Sequence, residues 1–177
     1  VDNGIACLEE IDLANSLGMT VVVTDHHLPG EKLPNAAAVV DPHRADCPSE
    51  FKMVCGAEVA FMLICAIEGK EPEELLYEYA DILTIAIIAD LMPLTFENRS
   101  IVKCGINKIK TDTIVGISAL LNVSGVKISD VTSERIAFSL CPRINAAGRI
   151  GSAKIAVDLL CETDMLKALK IANEIDE

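Results

Sequence analysis

Two adjacent histidines and an aspartate, Asp25-His26-His27, are the residues of this chain best suited to chemistry. They follow residues 20–24, an apolar and β-branched run with the composition of a short buried strand. In open α/β sheets, ligands bind outside the carboxyl ends of the strands. Imidazole and carboxylate groups together suit a divalent transition metal such as Mn²⁺ or Zn²⁺. The tripeptide therefore predicts a metal site or, as the simpler alternative, a polar turn after a strand.

Three other segments place polar residues where a functional site could form. Asp2 lies in an Asp-Asn-Gly sequence, which on residue chemistry alone predicts an ordinary turn. Asp90 follows the apolar residues 82–89, and a carboxylate among apolar neighbours needs a partner or a metal ion. The alternative for Asp90 is a solvated carboxylate at a helix end. The third segment, residues 142–149, reads Pro-Arg-Ile-Asn-Ala-Ala-Gly-Arg and holds a local basic cluster.

Together these segments resemble the DHH phosphoesterase superfamily, and within it the RecJ-type single-strand-specific exonucleases. The similarity extends through residues 24–42 (TDHHLPGEKLPNAAAVVDP), residues 55–63 (CGAEVAFML) and Glu97-Asn98-Arg99, so that it covers almost the whole chain. The tripeptide alone would indicate only the superfamily. The PRINAAGR stretch points to the RecJ branch rather than to pyrophosphatases or small-nucleotide phosphodiesterases.

The resemblance implies a role for each acidic or histidine residue of these motifs. Asp2 resembles the carboxylate that bridges two metal ions, and His26 and Asp90 resemble further metal ligands. His27 resembles the residue that faces the scissile phosphate. Asp25 is expected to accept a ring N–H from a ligating histidine and so fix its tautomer. Metal ligands Asp2, His26 and Asp90 would then act with His27 as the catalytic set.

The chemistry implied by this resemblance is hydrolysis of a phosphodiester with two divalent cations, Mn²⁺ or Mg²⁺. Two ions about 4 Å apart supply a nucleophile and offset the developing charge. A histidine ligand favours Mn²⁺ over Mg²⁺ as the tighter ion. Because a histidine must be neutral to bind a metal, we expect activity to fall as pH drops through the histidine range.

Arg143, Asn145 and Arg149 are predicted to hold the DNA backbone or to support the metal site, since Arg can grip a phosphate with two parallel N–H bonds. The alternative is a salt-bridge corner between helices, in which these cations pair with the abundant acids. Two residues depart from the family pattern. Cys141 stands before Pro142, where the family more often has Gly, and its side chain adds bulk that weakens the case for a DNA-binding groove there. Asp41-Pro42 replaces the Asn-Pro that is commoner in the family.

Composition limits the classes of function that this chain can have alone. Its net charge of −12 argues against a general nucleic-acid clamp, because phosphate neutralisation dominates such binding. The aromatic fraction is only 3%, so few side chains can stack on bases. Seven cysteines without a CxxC motif predict a reducing cytoplasm, although His43, Cys47 and Cys55 could instead form a structural zinc corner. No apolar run approaches the ~20 residues that a bilayer requires, so no membrane partner is expected.

The predicted fold class is α/β, with the C-terminal part of a parallel-sheet DHH phosphoesterase domain in residues 1–50 and an all-helical segment in residues 51–177. The predicted strands are residues 20–24 and 37–41, because both runs are β-branched or apolar and end at polar or Pro residues. Helices are predicted at residues 6–17, 57–68, 73–89, 97–109, 113–121, 132–140, 152–160 and 163–175.

The family's first acidic motif and its C-terminal nucleic-acid-binding domain, with a Gly-Gly-His motif, do not occur in these 177 residues. We therefore expect an internal piece of a longer protein, with an incomplete metal site and no activity by itself. The parent protein is expected to be a metal-dependent 5′→3′ exonuclease on single-stranded DNA in repair and recombination, with single-strand-binding protein or a helicase as a further partner. The alternatives are a small-oligonucleotide or cyclic-dinucleotide phosphodiesterase and a non-catalytic scaffold that binds a replication partner.

Overall fold

The computed structural model describes residues 1–147 and 153–176. Two short strands lie near the beginning of the chain, and every described element after them is helical. The strands are β1 (Val22–Thr24) and β2 (Ala38–Val40), and the helices are α1 (Leu8–Ser16), α2 (Gly56–Glu68), α3 (Pro72–Ala89), α4 (Phe96–Thr111), α5 (Val115–Val123), α6 (Ser133–Arg135), α7 (Cys141–Ala147), α8 (Lys154–Cys161) and α9 (Met165–Asp176). The chain divides into two compact units, residues 1–75 and residues 76–177, with α3 beginning in the first and continuing in the second.

The first unit is built on the parallel pair β1 and β2, in which Thr24 lies opposite Val40. Asn3 forms an antiparallel bridge with Thr24, so β1 has partners on both sides at its carboxyl end. The buried core includes Ile5, Ile11 and Val23 with apolar side chains of α2. Parallel strands that are buried on both faces have short, continuous apolar sequences. The β-branched sequence of β1 therefore explains its place in this core.

α2 begins and ends at residues suited to those positions. Its first turn is capped by a reciprocal pair, in which the N–H of Cys55 donates to Glu58 Oε2 at 2.8 Å. Gly69 ends the helix in the left-handed conformation, with φ 63°. Such a pairing satisfies N–H groups that a helix start leaves without partners, and a glycine meets no steric penalty at positive φ.

The second unit is a set of packed helices with an aliphatic core. Close approach of α5 and α8 depends on Gly116, since a Cβ built there would lie 2.8 Å from the carbonyl carbon of Leu159. A buried ion pair joins α3 to α4: Lys108 Nζ lies 3.0 Å from Asp81 Oδ1. The other carboxylate oxygen of Asp81 accepts from Thr113 Oγ1 at 2.9 Å and from the N–H of Ile114 at 3.2 Å. Asp81 therefore caps α5 from a neighbouring helix.

The α/β class followed by helices is confirmed, with element bounds close to those predicted. One predicted helix, residues 132–140, is divided. The structure has the short α6, then a π-helix at Ile136–Leu140, then α7. π-Helical turns are rare and occur often at functional sites, and this one leads directly into the PRINAAGR stretch. Among the described helices, none is both long enough and apolar enough to cross a membrane.

Candidate metal and phosphodiester site

The carboxyl ends of β1 and β2 bring two functional segments together in the first unit. The N–H of Asp25 donates to Val40 O at 2.9 Å, which holds the tripeptide beside the end of β2. The N–H of Asp2 donates to Thr24 O at 2.8 Å, which holds Asp2 beside the end of β1. Asp2 has φ 58°, a left-handed conformation that Asp tolerates better than most residues. Backbone pairing at the strand ends thus sets the position of both carboxylates.

Asp25 is the buried anchor of the site, with 1% of its surface exposed. It accepts hydrogen bonds from the backbone N–H groups of Ile5 at 2.9 Å, His26 at 2.7 Å and His27 at 3.2 Å. Burial by itself raises the pKa of Asp25, but these bonds and the His27 ring outweigh it and hold the pKa at about 2. Asp25 is therefore ionised at neutral pH and acts as an acceptor only.

The ring of His27 is fixed by this carboxylate. His27 Nδ1 lies 2.7 Å from Asp25 Oδ1. Because Asp25 is ionised, Nδ1 must donate, and in the neutral ring Nε2 then carries the lone pair. The sequence predicted that Asp25 would orient a metal-ligating histidine, and His26 was the predicted ligand. The structure pairs Asp25 with the exposed ring of His27, the residue predicted to face the phosphate. The ring of His27 also lies against the ring of His26, with centroids 4.4 Å apart.

His26 faces Asp2 across a short gap. Its Nε2 lies 3.1 Å from Asp2 Oδ1, with 9% of the His26 side chain and 61% of the Asp2 side chain exposed. In an octahedral site, two neighbouring ligand atoms subtend a right angle at the cation. If each lies ~2.1 Å from the cation, the two atoms are ~3.0 Å apart. One ligand atom each from Asp2, His26 and His27 lies within 4.8 Å of the others. Asp2 and His26 therefore have the spacing of two ligands of one divalent cation, with His27 beside them, and a mixture of imidazole and carboxylate suits Mn²⁺.

Asp41 is a buried carboxylate at the end of β2 for which the sequence predicted no role in the site. Its Oδ1 accepts from the N–H of His43 at 2.7 Å, whereas Asp41 Oδ2 and His43 Nδ1 are buried without a hydrogen-bond partner among the described residues. Burial raises the pKa of Asp41, and the nearby Asp25 carboxylate adds to the rise, while His43 and His26 oppose it. The signal available in the sequence was its position, one residue after a strand that runs parallel to β1.

The alternative of a structural zinc corner finds no support in the described residues, since His43, Cys47 and Cys55 do not form a group of ligand atoms within reach of one ion. Cys55 instead lies buried at the start of α2, where burial raises the pKa of its thiol to about 12.

Asp90 lies in the second unit, directly after the end of α3, and is exposed. Its N–H donates to Ala86 O at 2.9 Å, so the residue continues the last turn of the helix. Leu91 follows with φ 56°, an uncommon conformation for a leucine that turns the chain sharply after Asp90. The role of Asp90 as a metal ligand remains a prediction.

The basic residues near α7 are partly engaged within the chain. Arg143 Nε donates to Asp176 Oδ1 at 2.6 Å, and its Nη1 donates to Ser139 O at 2.6 Å. Lys154 pairs with Asp158 one turn along α8, at 2.7 Å. These contacts favour the salt-bridge interpretation for Arg143. Asn145 is exposed on α7, and Arg149 lies outside the described residues, so a DNA-binding role for this segment remains a prediction.

Comparison with known proteins gives the family. Residues 1–87 match the model of the DHH family, N-terminal domain. Residues 1–87 therefore correspond to the N-terminal domain of the DHH family. Over 177 residues it is 42% identical to the single-stranded-DNA-specific exonuclease RecJ of Bacillus subtilis. A crystal structure of RecJ from Thermus thermophilus in complex with Mn²⁺ superposes on 99% of the chain, with a TM-score of 0.82 and 35% identity. A crystal structure of exonuclease RecJ bound to manganese superposes on 99% of it, with a TM-score of 0.83 and 36% identity.

The similarity to RecJ covers the whole chain but only part of each relative. The chain spans 22% of the Bacillus RecJ, 26% of the Thermus chain and 44% of the chain in the other manganese-bound structure. The activity of those whole proteins is therefore a proposal for the protein that carries these 177 residues.

Proposed function

We propose that the longer protein carrying this chain is a divalent-metal-dependent exonuclease that degrades single-stranded DNA in the 5′→3′ direction. The observation that carries the proposal is the group Asp2, His26 and His27, whose ligand atoms lie within 4.8 Å of one another at the carboxyl ends of two parallel strands. Similarity to RecJ exonucleases along the entire chain supports the choice of single-stranded DNA over a small nucleotide.

The burial and contacts of the site residues suggest which would bind the metal and which would face the phosphate. Asp2 and His26 would hold the cation, with Asp90 as a further ligand, because exposed Asp2 can reach both metal and solvent while His26 is almost buried. His27 would face the scissile phosphate, its ring held by Asp25 with the Nε2 lone pair outward. Divalent cations bound there supply positive charge to the phosphodiester and make water nucleophilic at neutral pH. Mn²⁺ is proposed as the tighter ion and Mg²⁺ as its substitute.

Arg149 and Asn145 are proposed to contact the DNA backbone. The acidic composition of the chain leaves most phosphate contacts to the rest of the protein, since a net charge of −12 repels a polyanion. Single-strand-binding protein or a helicase is proposed as the partner that delivers single strands for repair and recombination. Cytoplasmic location is proposed because the seven cysteines are free thiols.

A substrate comparison tests this proposal. The full-length protein with Mn²⁺ is offered a long 5′-labelled single-stranded DNA, the matching duplex and the dinucleotide pApA in parallel. We expect rapid release of labelled mononucleotide from the long single strand alone. Release of the 5′ label only at the end of digestion would overturn the direction, and cleavage of pApA alone would move the activity to the small-oligonucleotide phosphodiesterases.

The same comparison tests the non-catalytic alternative. If none of the three substrates is cleaved by a folded, Mn²⁺-loaded protein, the exonuclease proposal fails and a scaffold that binds a replication partner replaces it. The net charge of −12 suits a protein-binding surface, whereas the assembled metal-ligand group favours catalysis.

A further inference from the structure

The first residue of α2 lies directly against Asp2. Gly56 is buried, and a Cβ built on it would lie 2.7 Å from the Cβ of Asp2 and closer still to its Cγ and Oδ1. Real Cβ atoms essentially never approach another heavy atom within 3.0 Å. The first turn of α2 and the Asp2 carboxylate can therefore occupy their positions together only when residue 56 has no side chain.

Asp2 cannot yield to such a clash without leaving its place in the site. Its N–H is bonded to Thr24 O at 2.8 Å, and the next residue, Asn3, bridges Thr24. The bond from the N–H of Gly4 to Asn3 Oδ1, at 2.8 Å, holds the turn that follows. Because the Cβ of Asp2 would itself lie 2.7 Å from a Cβ at residue 56, rotation of the Asp2 side chain alone cannot relieve the clash. The turn that carries Asp2 would have to shift, and this would move the carboxylate away from His26 Nε2, which is now 3.1 Å from Asp2 Oδ1.

α2 is also held in place. The capping pair of Cys55 and Glu58 fixes its first turn, and Val59, Phe61 and Cys65 are buried along one face. Moving a buried helix far enough to relieve the clash would disturb this packing, which is close-packed like other protein interiors. The turn that carries Asp2, whose side chain is 61% exposed, is therefore the part that can move most easily.

We propose that Gly56 is a positioning residue for Asp2: by lacking a side chain, it leaves the space in which the Asp2 carboxylate stands opposite His26. The amino end of α2 also carries a partial positive charge, which favours the ionised carboxylate that a cation requires. This inference rests on the proposed metal site, because the position of Asp2 matters for function only if Asp2 holds a cation.

The test compares three glycine substitutions in the full-length protein. Gly56→Ala places a methyl group against Asp2. Gly30→Ala is the matched control, because a Cβ there meets nothing within 4 Å. Gly105→Ala is the structural comparison, because its Cβ would lie 2.8 Å from the carbonyl carbon of Ala80 within the second unit. Mn²⁺ affinity is measured by calorimetry, and Tm is measured with and without Mn²⁺.

We expect Gly56→Ala to weaken Mn²⁺ binding at least ~10-fold, as loss of a group that orients a metal ligand typically does, and to lose most of the Mn²⁺-induced rise in Tm. Gly30→Ala should bind Mn²⁺ as the wild type does. Gly105→Ala should lower Tm but keep the Mn²⁺-induced rise. Wild-type affinity in Gly56→Ala, or an equal loss of the Mn²⁺ response in Gly105→Ala, would overturn the inference.

A double substitution separates the positioning role from the metal. Asp2→Gly removes the three atoms that would lie nearest the new Cβ, and the φ of 58° at residue 2 suits glycine. We therefore expect Gly56→Ala to lower the Tm of the metal-free wild type and to lower it much less in the Asp2→Gly background. An equal loss in both backgrounds would contradict the proposed contact. If the wild type binds no Mn²⁺, the proposed function fails, whereas this metal-free comparison still decides whether Gly56 positions Asp2.

Discussion

The ionised carboxylate of Asp25 accepts a hydrogen bond from Nδ1 of exposed His27 at 2.7 Å, so a buried residue sets the orientation of a residue at the surface. The same carboxylate accepts three backbone N–H groups, one of them from Ile5, at the start of the chain. Asp25 thus connects the turn that carries Asp2 to the ring of His27, and changes at Asp25 should affect both stability and catalysis.

We expect Asp25→Asn to destabilise the fold in a pH-dependent way. Folding lowers the pKa of Asp25 from 3.8 to about 2, so the ionised group stabilises the folded state above pH ~4, and this stabilisation is lost as pH falls toward 2. A shift of this size corresponds to about 2 kcal/mol. Urea unfolding at pH 7 should show at least that loss in Asp25→Asn, and the two proteins should converge near pH 2. A difference that is independent of pH would contradict this account.

Substitution of His27 should separate catalysis from metal binding. Because His27 is proposed to face the phosphate, His27→Ala should lower kcat at least ~100-fold, the usual range for loss of a group that acts on the reacting atoms. Mn²⁺ affinity should change less than ~3-fold. Single-turnover kinetics and calorimetry on the same preparation check both values. If affinity falls as far as kcat, His27 is a metal ligand and its proposed role is wrong.

The buried pair of Lys108 and Asp81 should be important for the second unit. Lys108→Met leaves the buried Asp81 carboxylate without its cation, which costs about 3 kcal/mol of unfolding free energy. Lys103, exposed on the same helix, provides the control, and Lys103→Met should change stability by less than ~0.5 kcal/mol. Chemical denaturation of the three proteins measures the difference. Equal stability of the two variants would show that the pair contributes nothing.

The PRINAAGR segment contains two arginines that are expected to behave differently. Arg149→Ala should raise KM for single-stranded DNA about 10-fold without loss of folding, if Arg149 contacts the backbone. Arg143→Ala should instead lower stability by about 1 kcal/mol, since Arg143 pairs with Asp176. Steady-state kinetics with Arg135→Ala, an exposed neighbour, as control tests the first expectation. Unchanged kinetics in Arg149→Ala would exclude the DNA contact.

The backbone elements were largely predictable because their signals are local. β1 and β2 follow from β-branched runs, and α2 follows from an apolar run that ends at Gly69. The π-helix at residues 136–140 was not predictable from periodicity, because its hydrogen bonds differ from those of an α-helix by one residue while its apolar pattern does not. Local sequence also gave no sign that Asp81 caps α5, since 33 residues separate it from Ile114.

The sequence predicted which residues form the site better than it predicted the contacts among them. Asp2, His26 and His27 were recognised by their motifs, and the structure brings them together. The pairing of Asp25 with His27, the closeness of Gly56 to Asp2 and the buried carboxylate of Asp41 depend on how strand ends and a helix start pack together. Gly56 and Asp2 lie far apart in the chain, so no local pattern encodes their contact. Asp25 and His27 are only two residues apart, but the sequence does not show which histidine ring turns toward the carboxylate.

The account depends most on the metal site at Asp2 and His26, and a Mn²⁺ titration tests it most directly. Calorimetry on the metal-free full-length protein should give a binding isotherm that Asp2→Asn weakens at least ~10-fold, because a carboxylate ligand is removed. Asp12→Asn removes the same charge from the exposed surface of α1 and should leave binding unchanged. Equal Mn²⁺ affinity in the wild type, Asp2→Asn and Asp12→Asn would contradict the assignment of this site.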